Sequence, residues 1–214
     1  MVIASILTNN NQEGLNALLW SLYSQTVRET MRIRITNTGR PILGNQIWGT
    51  INHISQKINI ELKHLPNTKN YGILKEYMIH DLKDEDVVWY LEDDNVVIDR
   101  DLLEKQMKSM YTGEFPNVPM FEELGFDINE GEEVGYQING GKERIRLGNI
   151  FGLLCKVKMI KDIKDLDQWC IGADMKMIRE LNPYLIDGKI IHSKSTSPKA
   201  NQYILQERLM LGKI

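Results

Sequence analysis

Apolar residues come in short blocks separated by polar breaks. Val2–Leu7 is a compact, mostly β-favouring run that stops at Thr8-Asn9-Asn10-Asn11. Asn and Thr favour turns and caps because their side chains bond the nearby backbone. Leu15, Leu18, Leu19, Leu22 and Tyr23 then recur at helical spacing on one face. Arg32–Thr36 is strand-like and ends at Asn37-Thr38-Gly39. Strand, loop, helix and strand in this order form the repeating element of a parallel sheet. Trp48, Ile51 and Ile54 predict a short helix, Ile58–Leu62 a strand, and Ile73–Leu82 an amphipathic helix after the polar loop Asn67–Gly72. Asp86–Leu91 is the strongest strand, a nearly continuous apolar run of the kind buried on both faces. Asp101–Met110 reads as a helix with an acidic first turn, which suits the helix dipole.

The segment Tyr111–Gly148 is richer in Gly, Pro and acidic residues and reads as an irregular wall. Within it, Asn139-Gly140-Gly141 between strand-like flanks in Gln137–Leu147 signals a hairpin. Ile150–Cys155 predicts a strand, Trp169–Leu181 a helix, Tyr184–His192 a strand, and a C-terminal helix follows the polar loop Ser193–Pro198. The expectation is one α/β domain over residues 1–214, with a mostly parallel central sheet flanked by helices.

Composition narrows the field. Of 214 residues, 42% are hydrophobic and 26% charged, which is ordinary for a globular protein and excludes wholesale disorder. The formal charge of −3 argues against a non-specific nucleic-acid binder. No apolar run approaches the ~18 residues of a membrane span, and the N-terminus lacks the basic flank of a signal peptide. Cys155 and Cys170 form no CxxC, so a disulfide scaffold is excluded and a cytoplasmic setting is expected.

The sharpest chemical feature is Glu92-Asp93-Asp94 at the end of the strongest strand. Ligands of open α/β sheets bind outside the carboxyl ends of strands. Adjacent carboxylates repel unless a cation or solvent relieves them, and Mg²⁺ typically takes one or two carboxylates plus phosphate oxygens. A metal–diphosphate clamp is one use of the triplet; an acidic loop capping the next helix is the plainer one. Asp84-Glu85-Asp86, at the amino end of the same strand, reads as a solvated turn.

Four segments together resemble the nucleotide-binding half of GT-A glycosyltransferases of the family 2 type: ILTNNNQEGLNALLWSLYSQT (6–26), IRITNTG (33–39), NYGILKEY (70–77) and VVWYLEDDN (87–95). The last resembles the strand carrying that family's DxD motif. The resemblance implies a GT-A fold, with 1–98 as the nucleotide-sugar-binding half and 99–214 as the acceptor-side half. It implies donor contacts from Thr8, Asn10, Asn37, Asn70, Gly72, Lys75, Glu92 and Asp93, and a Mn²⁺ or Mg²⁺ ion held by Asp94, with Glu92 as a further candidate. DQWCIGADMKM (167–177) resembles the segment holding the base of inverting members, which places that role on Asp174. Ile190-Ile191-His192 resembles the strand end that supplies a metal-binding imidazole, here His192.

Three departures qualify the match. Asn37 stands where the family usually has an Asp facing uracil; Asn accepts or donates, so a UDP-sugar is favoured while cytidine stays open. Ala173-Asp174 replaces a Glu-Asp pair, and Leu74-Lys75-Glu76-Tyr77 replaces an Ala-Arg-Asn stretch. The implied function is metal-dependent transfer of a sugar from a sugar nucleotide to an acceptor hydroxyl of a glycan, lipid, protein or modified nucleic-acid base. The alternatives are a nucleotidyltransferase, whose usual Gly-rich basic loop is missing from Thr8–Gly14, and a degenerate domain that binds a glycan or protein. Among the aromatics, Trp20, Tyr23, Trp48 and Trp89 read as packing residues and Trp169 as a sugar-stacking candidate. Lys156, Lys158, Lys161 and Lys164 read as a solvated helix face.

Overall fold

The computed structural model describes residues 1–9, 11–39, 45–65, 70–113, 116–124, 133–138, 141–146, 152–169 and 173–193. Ten strands and six helices lie among them: β1 (Val2–Thr8), α1 (Gln12–Tyr23), β2 (Met31–Asn37), α2 (Asn45–Ile54), β3 (Ile60–His64), α3 (Tyr71–Tyr77), β4 (Val87–Glu92), β5 (Asn95–Val97), α4 (Leu102–Gly113), β6 (Asn117–Leu124), β7 (Glu133–Ile138), β8 (Gly141–Arg146), β9 (Leu154–Lys156), α5 (Val157–Lys161), α6 (Ala173–Leu181) and β10 (Tyr184–Ser193).

Eight strands form one sheet in the order β3-β2-β1-β4-β9-β6-β10-β5. The β3-β2-β1-β4 half is parallel throughout, β9 runs against both of its neighbours, β10 is parallel to β6, and β5 is antiparallel to β10. Strands β7 and β8 pair as a separate antiparallel hairpin, in the place where the Asn-Gly-Gly signal predicts one.

Both faces of the sheet are covered, which explains why β1 and β4 are apolar at most positions. Side chains alternate across a strand. Val2, Ala4 and Ile6 of β1 and Val87, Trp89 and Leu91 of β4 pack into one core with Leu15, Leu18, Leu19 and Leu22 of α1, Ile47, Ile51 and Ile54 of α2, and Leu102 and Leu103 of α4. Ile3, Leu7, Val88 and Tyr90 face the other way, onto Leu74 of α3, Val157 and Ile160 of α5, and Ala173, Met177 and Ile178 of α6. Each face thus has a helical layer, as a doubly covered parallel sheet requires.

Several expectations change. Residues 117–124, read as irregular wall, form β6 in the interior of the sheet. The sequence NVPMFEEL hides this because Pro cannot donate to a ladder and is rare in central strands. The ladder accommodates it with a bulge: Ile186 pairs with Pro119, and the next pair is Lys189 with Met120, so Asp187 and Gly188 loop out. Gly188 has φ 154°, and a Cβ there would meet Leu102 Cδ1 at 2.4 Å. The strand expected at 150–155 is Leu154–Lys156, and the helix expected from Trp169 begins at Ala173. Trp20 and Trp48, read as packing residues, are 42% and 40% exposed. Trp20 instead stacks edge-on with Tyr23 and lies against His53 on the outer helical surface. Trp89 is fully buried, as expected. The C-terminal helix, the 193–197 loop beyond Ser193, Asn10 and Cys170 lie outside the described residues. Among the described residues no helix is long and apolar enough to cross a membrane.

Candidate functional site

The carboxyl ends of β1, β2 and β4 lie side by side: Thr8 pairs with Asn37, and Leu7 pairs with Glu92. This register brings three polar turns from separate parts of the sequence to one edge of the sheet. Asp93 binds two of the ends together. Its Oδ2 accepts hydrogen bonds from Thr8 Oγ1 (2.6 Å), Asn9 N (3.1 Å) and Asn11 N (3.3 Å), while its backbone O accepts from Asn11 Nδ2 (3.3 Å). Burial pushes the Asp93 carboxyl up to about 6; the Thr8 hydroxyl pulls it down, and the neighbouring Asp94 charge adds to the rise. Asn11 also caps α1, accepting from Gly14 N at 3.2 Å. Gly14 must be glycine for space, since a Cβ would collide with the Asp93 carbonyl oxygen. Asp93 therefore shapes the first loop from below.

Asn37 is buried at the end of β2, and its Oδ1 accepts from Gly39 N at 2.9 Å, an Asx turn that holds the Asn-Thr-Gly segment. Thr38 N donates to Thr8 O at 2.9 Å, locking this turn to the first loop.

The next group crosses the molecule. Asn70 caps α3 by accepting from Ile73 N (3.1 Å), and its Nδ2 donates to Asp167 O (2.6 Å). Gly72 N donates to Trp169 O at 2.8 Å. A Cβ on Gly72 would lie 1.8 Å from Leu166 O, so the backbones touch there. Asn70 and Gly72, placed by the resemblance on the donor, spend these groups docking α3 against residues 166–169. That segment leads directly into α6 and Asp174. Trp169, the stacking candidate, packs partly buried against the α3–α6 core, with Lys176 Nζ 5.6 Å from its ring centroid.

Lys75, one turn into α3, is 1% exposed. Its Nζ lies 3.1 Å from Glu92 Oε1 and 3.4 Å from Asp174 Oδ1. Burial disfavours its charge, but the Asp174 and Glu92 carboxylates outweigh this and hold the ammonium protonated, above the usual lysine range. Asp174, in the first turn of α6, is itself buried. Burial pushes its carboxyl up to about 6 against the pull of Lys75, with Glu92 adding to the rise. Its Oδ1 is buried and makes no hydrogen bond among the described residues beyond that 3.4 Å ion pair. Asp174 thus pairs inward, onto α3. Tyr71 opens α3 beside the same carboxylates. Although Tyr71 is 39% exposed, the partial desolvation of its ring, with Glu92 next, pushes its phenol up to about 12. Sequence reasoning passed over Tyr71 because an aromatic at a helix start carries no chemical signature.

Asp94 sits in the turn between β4 and β5, where its Oδ1 accepts from Asn95 Nδ2 at 3.0 Å. Asn95 Oδ1 accepts from Glu92 N at 2.8 Å, so the turn is internally braced. The backbone register of β10 on β5 pairs His192 with Asn95, directly after Asp94. The backbone of His192 thus lies opposite Asn95, one position after Asp94, although the two residues are nearly a hundred positions apart in sequence. No cluster of three His, Cys, Asp or Glu side chains arranged for a metal occurs among the described residues, and the His192 side chain is outside them.

Two members of the lysine cluster, Lys158 and Lys161, are taken up by ion pairs, as on a solvated face. Lys158 bonds Asp162 at 2.9 Å, and Lys161 bonds Asp84 at 2.9 Å and Leu82 O at 2.7 Å.

No family model and no curated protein matches the sequence. Solved structures match the backbone. S. aureus TarS 1–349 in complex with UDP superposes with a TM-score of 0.66 at 12% identity, over 91% of this chain and 60% of that one. Its complex with UDP-GlcNAc gives 0.63 at 14% identity, over 92% and 60%. A longer TarS structure gives 0.65 at 14%, over 91% and 37%. TarS is a glycosyltransferase of GT-A type. The fold is the GT-A fold. Identity this low carries the fold alone, and the chain spans three fifths or less of the TarS chains it matches. Within the GT-A frame, the described polar groups from β1, β2, β4, α3 and α6 gather at the carboxyl edge of the parallel half-sheet, where such sheets bind ligands.

Proposed function

We propose that the protein is a glycosyltransferase that moves a sugar from a nucleotide-diphosphate donor, a UDP-sugar in first place, to an acceptor hydroxyl. The observation that carries this reading is the Lys75 bridge. Glu92 at the end of β4 and Asp174 on α6 are 82 positions apart, yet each lies within 3.4 Å of one buried ammonium. The acidic turn and the base candidate are therefore held to one ammonium, which supports placing donor and base side by side. The complexes of TarS with UDP and UDP-GlcNAc support the choice of donor.

In this reading the donor lies over the carboxyl ends of β1, β2 and β4. Asn37 and the first loop meet the nucleoside, while Thr8, buried with its hydroxyl on Asp93, supports that loop. Glu92 and Asp93 shape the floor, since each is already held by protein donors. Asp94 and His192 would hold a Mn²⁺ or Mg²⁺ ion; the carboxylate suits either, and the imidazole leans toward the transition metal. When bound, such an ion acts as a Lewis acid on the departing diphosphate. Asp174 takes the proton of the attacking hydroxyl, a role worth about 10²–10⁴-fold in rate. A carboxyl raised to about 6 is better matched to that task near neutral pH than an ordinary aspartate. Attack from the face opposite the leaving diphosphate inverts the anomeric centre.

The test is thermal unfolding with UDP, CDP, GDP and ATP, each with and without Mn²⁺, on the wild type and Asp94→Ala. A ligand that binds only the native state raises its stability by linkage. UDP should raise the midpoint only with Mn²⁺, and the shift should vanish in the variant. Absence of any nucleotide shift would refute the transferase reading and leave a GT-A domain that binds a glycan or protein.

A further inference from the structure

Lys75 occupies an unusual position for a cation. The resemblance placed it among the donor contacts, yet its ammonium is turned into the protein, against Glu92 at 3.1 Å and Asp174 at 3.4 Å. The Tyr90 ring lies 5.5 Å from it, and the Tyr90 hydroxyl donates to Lys75 O at 3.1 Å, fixing the helix turn from which the side chain springs. Only 1% of the Lys75 side chain is exposed, against 9% for Asp174 and 20% for Glu92. The lysine is thus the innermost member, and the two carboxylates lie nearer the surface.

Burying an ammonium is costly unless its partners are well placed. One carboxylate suffices to neutralise it. Here two are recruited, from the end of a central strand and the start of a distant helix. The Asp174 Oδ1 atom is buried with no hydrogen bond among the described residues, so that ion pair is the contact that orients the carboxylate.

We propose that Lys75 is a positioning residue, whose ammonium holds the Asp174 carboxylate in register with the Glu92 end of the cleft so that it meets the acceptor hydroxyl. This rests on reading Asp174 as the base. Lys75 makes no contact with the donor and acts through Asp174.

The test is a double-mutant cycle of Lys75→Met, Asp174→Asn and the two combined. Three quantities are read: UDP release from UDP-glucose and UDP-GlcNAc with Mn²⁺, the affinity for UDP with Mn²⁺ by calorimetry, and the urea unfolding midpoint. Lys75→Met should lower kcat by about 100-fold or more, within the range for a lost general base, while UDP affinity stays within about threefold. The double variant should turn over no more slowly than Asp174→Asn alone, because members of one unit are not additive. It also removes the unpaired buried charge, so its unfolding midpoint should exceed that of Lys75→Met, which separates lost positioning from lost folding.

Three results would overturn the proposal while leaving the base assignment in place: Lys75→Met retaining kcat when Asp174→Asn does not, UDP affinity falling as far as turnover, or the double variant losing the product of the two single losses. If Asp174→Asn turns over like the wild type, or the wild type releases no UDP, the base reading itself fails and the positioning role falls with it.

Discussion

Gly72→Ala and Gly49→Ala are the same chemical change with opposite expected signs. At Gly72 the added Cβ would stand 1.8 Å from Leu166 O and 2.7 Å from Trp169 O. Both are backbone atoms, so no side chain can swing aside. The segments must part by roughly 1.5 Å to regain an ordinary contact distance. That movement breaks the Gly72 N–Trp169 O hydrogen bond of 2.8 Å. Stranding a buried backbone group costs about 1–3 kcal/mol, and overpacking adds about 1–3 kcal/mol. The better helix propensity of alanine returns at most about 1 kcal/mol. The net expectation is a loss of about 1–5 kcal/mol. Gly49 lies exposed in α2, with nothing within 4 Å of its would-be Cβ. There the propensity term acts alone, and alanine should stabilise by about 0.5–1 kcal/mol. Urea unfolding of the two variants beside the wild type measures both. If Gly72→Ala lies within about 0.5 kcal/mol of the wild type, or falls no lower than Gly49→Ala, the docking of α3 on residues 166–169 is wrong. The same separation should displace α6 and Asp174, so Gly72→Ala should also reduce turnover while Gly49→Ala leaves it unchanged.

Leu18, fully buried in the α1 face of the core, should cost about 2–5 kcal/mol on truncation to Ala; Trp20→Ser, on the exposed face, should stay within about 1 kcal/mol by the same urea assay. Asp81 gives a pH prediction. Desolvation opposes it, but hydrogen bonds from Lys63 (2.7 Å) and Arg34 (2.7 Å) hold its carboxyl well below the usual range. A lowered native pKa means the unfolded chain takes up the proton first, so this stabilisation is present above about pH 4 and declines as the pH falls further. The Asp81 side chain is 41% exposed, so the effect is modest. The gap in urea midpoint between wild type and Asp81→Asn should narrow from about pH 7 to about pH 3; a gap that stays constant or widens would count against the assignment.

The parallel half of the fold was legible because local pattern and burial coincide there. A strand covered on both faces is nearly continuously apolar, and Val2–Leu7, broken only by the buried Ser5, and Val87–Leu91 show this pattern. The polar turns that end them, Thr8–Asn11, Asn37–Gly39 and Glu92–Asp94, mark the ligand edge by the same logic. The second half was less legible. Strand β6 carries Pro119 and two glutamates, and it becomes interior only because a bulge in β10 absorbs the proline.

The roles of individual polar residues followed a different rule. The sequence by itself determined which charged and amide groups the chain possesses and where each strand delivers them. It could not determine what each group faces, because the partners lie far away along the chain: Asp93 meets Thr8 across 85 positions, Asn70 meets Asp167 across 97, and Lys75 meets Asp174 across 99. A lysine on an amphipathic helix reads as solvent-facing or ligand-facing until the tertiary structure sets two carboxylates against it and removes the water. Only the packing of α3 and α6 against one face of the sheet made Lys75 an internal counter-ion, because an ammonium withdrawn from solvent is tolerated only where opposite charge already waits for it.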